Sequence, residues 1–67
     1  MLRGDKVREM RKKRDLTQTE LGAMVNLSQQ HLTEYELDKH PNVSLRMVLR
    51  LCDALGCDIE DIIDYTY

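Results

Sequence analysis

Residues 18–37, QTELGAMVNLSQQHLTEYEL, constrain the fold of this chain more than any other stretch, because they read as two short helices meeting at a tight corner. Leu21, Val25, Leu27, Leu32 and Tyr35 are spaced for burial. Gly22 offers a side-chain-free surface against which a second helix can pack closely, and Asn26 tolerates the left-handed conformation that a helix end needs. From Ser28 onward, at about 100° per residue, Gln29, Gln30, Thr33 and Glu34 fall on one arc while Leu32 and Tyr35 point the other way. One face is core, and the other is left to read a partner.

Around that corner the pattern predicts an all-α fold of five compactly packed helices, at about 4–14, 18–25, 28–37, 44–55 and 58–64, in one domain spanning residues 1–67. In the first helix Val7 and Met10 share a face, Arg11 and Arg14 flank it, and Asp15 supplies the exit. Thr17 followed by Glu20 is a capping box, with Leu16 placed to pack back as a staple. Ser28 and Ser44 are the next helix caps. Leu45, Val48, Leu49, Cys52 and Leu55 form the cleanest amphipathic stripe in the chain, closed by Gly56 in the left-handed conformation with Cys57 making the apolar contact beyond it. Asp58 then caps a last short helix whose Ile59, Ile62 and Ile63 face inward.

A chain of 67 residues buries only about 60% of its unfolded surface, which leaves little room for an active-site cavity. No grouping of nucleophile, base and orienting residue is present, so no enzyme activity is expected. His31 and His40 with Cys52 and Cys57 match no usual metal-ligand spacing, and neither a metal nor a cofactor is expected. The two cysteines read as packing residues in a reducing compartment, and MLRGDKVREM lacks the apolar run of a signal peptide, which points to the cytoplasm.

The net charge of −2 conceals a dipole. Residues 1–14 carry seven Lys/Arg against Asp5 and Glu9, a balance of +5, whereas residues 15–67 carry three against ten, a balance of −7. A basic pole of this kind can meet phosphate while the acidic remainder limits non-specific binding.

Taken together, VREMR at 7–11, LTQTELG at 16–22, NLSQQHLTEYE at 26–36 and LCDALGCDIEDII at 51–63 resemble the Cro and lambda-repressor type of helix-turn-helix domain, the DNA-binding modules of prokaryotes and their phages. The resemblance covers nearly the whole chain. It implies a sequence-specific regulator of transcription, a repressor, that reads the major groove of double-stranded DNA with helix 28–37 and binds as a homodimer. It implies base reading by Gln29, Gln30, Thr33 and Glu34, with phosphate contacts from Thr17, Gln18, His31, Lys39, His40 and Asn42. Arg11 and Glu36 match the residues that form a structural ion pair in this family. The chain departs from the family pattern at Asp38, where Gly usually follows the third helix, and at Glu34, where a neutral or basic residue commonly reads DNA.

The dimer contact is expected in the C-terminal part, where Ile59, Ile62, Ile63, Tyr65 and Tyr67 are more apolar than a short last helix needs. The alternative function is a protein-interaction module on the same fold, an antitoxin-like partner that docks another protein through the acidic surface.

Overall fold

The computed structural model describes residues 2–37 and 43–64. Four α-helices, α1 (Gly4–Lys13), α2 (Gln18–Val25), α3 (Gln29–Glu36) and α4 (Leu45–Leu55), are followed by a single 3₁₀ turn at Ile59–Asp61. They enclose one core in which Val7, Leu21, Val25, Leu32, Leu51, Leu55 and Ile62 are at most 2% exposed. Among the described residues no helix is long and apolar enough to cross a membrane.

Local chemistry sets where each helix begins and ends. α1 carries Asp5 in its first turn and Arg11, Lys12 and Lys13 in its last, the arrangement that complements the backbone dipole. It stops where Asp15 turns to φ 55°, a left-handed conformation that Asp accepts better than most residues. α2 opens on the reciprocal capping box: the Glu20 N–H donates to Thr17 Oγ1 at 3.0 Å, and the Thr17 N–H donates to Glu20 Oε1 at 2.9 Å. The Thr17 backbone N–H, and then its side-chain hydroxyl, hold the Glu20 carboxyl below the usual carboxylate range. Asn26 ends α2 at φ 62°, and the Leu27 N–H closes back on the Gly22 carbonyl at 2.7 Å. Gly22 serves that turn and not, as expected, the approach of a second helix, since a Cβ there would lie 2.5 Å from the Leu27 carbonyl oxygen.

Ser28 caps α3 by accepting from the His31 N–H at 3.2 Å, and Ser44 caps α4 by accepting from the Met47 N–H at 3.2 Å. At the other end of α4 the Cys57 N–H donates to the Cys52 carbonyl at 3.0 Å around Gly56, whose φ is 63°. Burial, and then the neighbouring Cys52, push the Cys57 thiol up to about 11, so both sulfurs serve as packing groups.

Two expectations are corrected by the packing. The stripe on α4 is offset: Val48, Leu51, Cys52 and Leu55 face the core, whereas Leu45 and Leu49 are 65% and 53% exposed. An apolar arc covering 45, 48, 49, 52 and 55 is wider than the face that α1 and α2 can cover. The tertiary contacts choose the side that includes Leu51. The expected helix at 58–64 is one 3₁₀ turn, because the residues after it pair with the N-terminus. The Arg3 N–H donates to the Ile62 carbonyl at 2.7 Å, and Leu2 and Ile63 form an antiparallel bridge. Extended backbone at Ile63 suits a β-branched residue, and Ile62 beside it is fully buried.

Arg14 has a role that helix periodicity did not suggest. Its Nε donates to the Leu55 carbonyl at 2.7 Å, placing a cation on the unsatisfied C-terminal end of α4. Its guanidinium also occupies the space that a Cβ at Gly56 would take. Arg14→Met should therefore lower stability by about 1 kcal/mol, while Arg8→Met on the same helix changes it by less than about 0.5 kcal/mol. Urea unfolding of the two variants checks the difference.

Candidate nucleic-acid interface

α2 and α3 meet at the Asn26–Ser28 corner so that the N-terminus of α2 and the outer side of α3 open onto the same surface. A polar chain running from α1 through the interior holds them there. Arg11 Nη1 donates to the Leu16 carbonyl at 2.8 Å, and Arg11 Nε and Nη2 donate to Glu36 Oε2 and Oε1 at 2.8 and 3.3 Å. The pair is nearly closed to solvent, with side-chain exposures of 11% for Arg11 and 3% for Glu36. Gln18 Nε2 extends the chain by donating to Glu36 Oε1 at 3.2 Å, and Gln18 Oε1 accepts from the Thr33 hydroxyl at 3.0 Å. The same hydroxyl lies 2.8 Å from the Gln29 carbonyl. Among the described residues no buried side-chain nitrogen or oxygen lacks a partner. A network satisfied in this way fixes the angle between helices as an apolar contact alone does not.

The network sorts the candidate residues by what they can offer a partner. Gln29 and Gln30 are exposed at the start of α3. Each carries an amide with donor and acceptor on one flat group. Thr33 is half-buried with its hydroxyl turned toward Gln18. Glu34 is half-buried on the same helix. Gln18 braces α3 through both ends of its amide and retains one N–H for another acceptor. Thr17 is exposed, with its hydroxyl engaged in the capping box. His31 is exposed one turn into α3, with Nδ1 3.1 Å from Ser28 Oγ. Lys39, His40 and Asn42 lie outside the described residues.

Lys12 was missed by the sequence reading. It lines an open cleft with Thr17, Gln18, Thr19 and Gln29, and it is exposed beside the N-terminus of α2. Charge patterning marked the whole basic run of the first helix without separating one lysine from another. The signal that could have found Lys12 is its place next to Arg11, because the Arg11–Glu36 pair determines which side of α1 adjoins α2 and α3. The cleft combines a lysine ammonium, the dipole-positive end of a helix and a glutamine amide, groups suited to a phosphate oxygen, with the Asp15 carboxylate, which repels one.

A family model described as helix-turn-helix matches residues 7–62. The SPbeta prophage-derived uncharacterized HTH-type transcriptional regulator YopS of Bacillus subtilis (strain 168) is 30% identical over 57 residues, which cover 85% of this chain and 77% of YopS. The immunity repressor protein of Bacillus phage phi105 is 35% identical over 60 residues, covering 90% of this chain and 41% of the repressor. Among solved structures, the P22 c2 repressor protein in complex with a synthetic operator superposes with a TM-score of 0.79 at 30% identity, over 90% of this chain and 89% of that one.

Proposed function

The chain belongs to the Cro and lambda-repressor type of helix-turn-helix family, and from that membership we propose that it is a sequence-specific DNA-binding repressor of transcription that reads the major groove with α3. The observation that carries the reading is the exposed Gln29–Gln30 pair on a helix braced from behind by Gln18, Glu36 and Arg11. A glutamine amide can donate to adenine N7 and accept from adenine N6 at once, and a braced helix presents it without further ordering cost. The Thr33 methyl meets a thymine methyl. Glu34 gains nothing from phosphate, so it accepts from a cytosine N4 amine and disfavours other sequences. Two copies bind a pseudo-palindrome, because one helix of this length reaches only a few base pairs and half-sites lie about 10 bp apart.

Thr17, Gln18 and His31 contact the DNA backbone, joined by Lys12 in the cleft at the start of α2. Lys39, His40 and Asn42 remain assigned to phosphate from the sequence. A phosphate contact carries little sequence information, and it appears in how affinity depends on salt. Lys12→Gln should weaken binding to specific and random duplexes alike and reduce the slope of log affinity against log salt by about one per protomer. Titration of a labelled duplex over a range of salt measures both quantities. An unchanged slope would remove Lys12 from the interface.

A further inference from the structure

The two cysteines are the nucleophilic groups that the DNA reading leaves unused, and the end of α4 brings them together. Cys52 lies in the last turn of that helix, and Cys57 follows beyond its end. Gly56, at φ 63°, turns the chain so that the Cys57 N–H returns to the Cys52 carbonyl at 3.0 Å. Both cysteines are free, and their thiols are hydrogen-bonded to each other. A disulfide requires side chains that already converge, and thiols in mutual contact meet that condition without movement of the helix. Cys52 is 8% exposed and Cys57 is half-buried, so a reagent arriving from solvent meets Cys57 first.

The surroundings of the pair are acidic. Both cysteines line one open cleft with Asp53, Asp58 and Asp61, all exposed. None of these carboxylates is ion-paired among the described residues. From α1, Arg14 reaches the same turn beside Gly56, but its guanidinium is committed to the Leu55 carbonyl. The cleft therefore draws cations and repels anions. Beyond it the chain turns inward: Ile62 is fully buried and Ile59 and Ile63 pack against the core, so the dimer contact expected at the C-terminus is not open at these residues. Tyr65 and Tyr67 lie outside the described residues.

We propose that Cys52 and Cys57 form a dithiol that a low-molecular-weight disulfide bearing amino groups oxidises to an intrachain disulfide, with the three aspartates favouring this cationic reagent over an anionic one. The Cys57 thiol loses its proton to solvent and attacks one sulfur of the reagent. The reagent's S–S bond breaks, and one half leaves as a thiolate that takes up a proton. Cys52 then loses its proton and attacks Cys57 Sγ, the mixed disulfide breaks, and the second half leaves in the same way. The two cysteines give up two electrons, and the reagent is reduced to two thiols. In the reduced chain the sulfurs remain packing groups. Oxidation adds a covalent closure to the turn that carries α4 into the segment held by the N-terminus, where the Arg3 N–H meets the Ile62 carbonyl. A cross-link there restricts the unfolded chain more than the folded one. None of this chemistry involves DNA.

The folded, reduced chain is mixed at about pH 8 and low salt with cystamine, which carries two ammonium groups, or with oxidised glutathione, which is anionic. Quenched samples are read by mass, and each rate is divided by that of mercaptoethanol with the same reagent. Both reagents should yield the chain less two hydrogens, cystamine about tenfold faster or more at low salt. In about 0.5 M salt the preference should shrink to about threefold or less, and Asp53→Asn combined with Asp58→Asn should shrink it likewise. Burial, and then Cys52, push the Cys57 thiol up to about 11, so with neutral hydroxyethyl disulfide the first step should quicken about tenfold per pH unit between about 7 and 9. Cys57→Ser should slow the consumption of cystamine about tenfold or more, because the remaining thiol is buried. Cys52→Ala should stop at the mixed disulfide. If its helix content falls, mapping the early adduct of the parent to Cys57 supplies the same reading. The oxidised chain should melt about 5–15 °C above the reduced one. Two stable adducts in place of the internal disulfide, equal normalised rates for the two reagents at low salt, or a Cys57→Ser chain as reactive as the parent overturns the proposal. So does an oxidised chain that melts no higher than the reduced one.

Discussion

Arg11→Met should lower the stability of the chain by about 3–5 kcal/mol, the usual consequence of removing one member of a buried ion pair. The Glu36 side chain is only 3% exposed, so without Arg11 its carboxylate keeps the Gln18 amide as its one side-chain partner among the described residues. Glu36→Met should cost less. The stranded guanidinium is 11% exposed, keeps its bond to the Leu16 carbonyl, and has a long stem that can carry the charge toward water. The double variant, with two apolar side chains of suitable length in the same space, should be more stable than Arg11→Met alone. Urea unfolding of the four proteins closes the cycle. Equal losses for both single variants and their sum for the double would mean that the two side chains act independently.

The second large effect falls on binding and not on stability. Gln29→Ala and Gln30→Ala each remove an exposed amide, so melting temperatures should stay within about 2 °C of the parent. If each amide reads a base edge, each loss should weaken binding to the preferred duplex by about 1–3 kcal/mol, roughly 5- to 150-fold, with little change on random duplex. Thr33→Val provides an internal comparison. It keeps a methyl group but removes the hydroxyl that Gln18 accepts from, so it should loosen the brace behind α3 and affect both stability and affinity.

The parts of the fold that local chemistry dictates were legible in the sequence. The Thr17–Glu20 box, the serine caps at 28 and 44, and the left-handed residues Asn26 and Gly56 all stand where the residue types placed them. Each needs information from only a few neighbouring positions. The departures occur where two distant segments compete for one residue. Three isoleucines at 59, 62 and 63 carry a helical spacing, but the N-terminal segment bonds to the Ile62 carbonyl and bridges Ile63. Leu45 and Leu49 complete an apolar arc on the sequence, yet the neighbouring helices cover a face centred nearer Leu51. In the candidate site, the glutamines of α3 could be read from their arc, whereas Lys12 required knowledge of how α1 lies against α2.

Recognition of DNA sequence by α3 is tested by selection of binding sites from a pool of random duplexes. The enriched duplex is then titrated against random duplex at one salt concentration. The expected product is a pseudo-palindrome with half-sites about 10 bp apart, bound at least roughly a thousandfold more tightly than random sequence, with that preference reduced in Gln29→Ala and Gln30→Ala. Enrichment of no sequence, or equal affinity for selected and random duplexes by the folded parent chain, would contradict it.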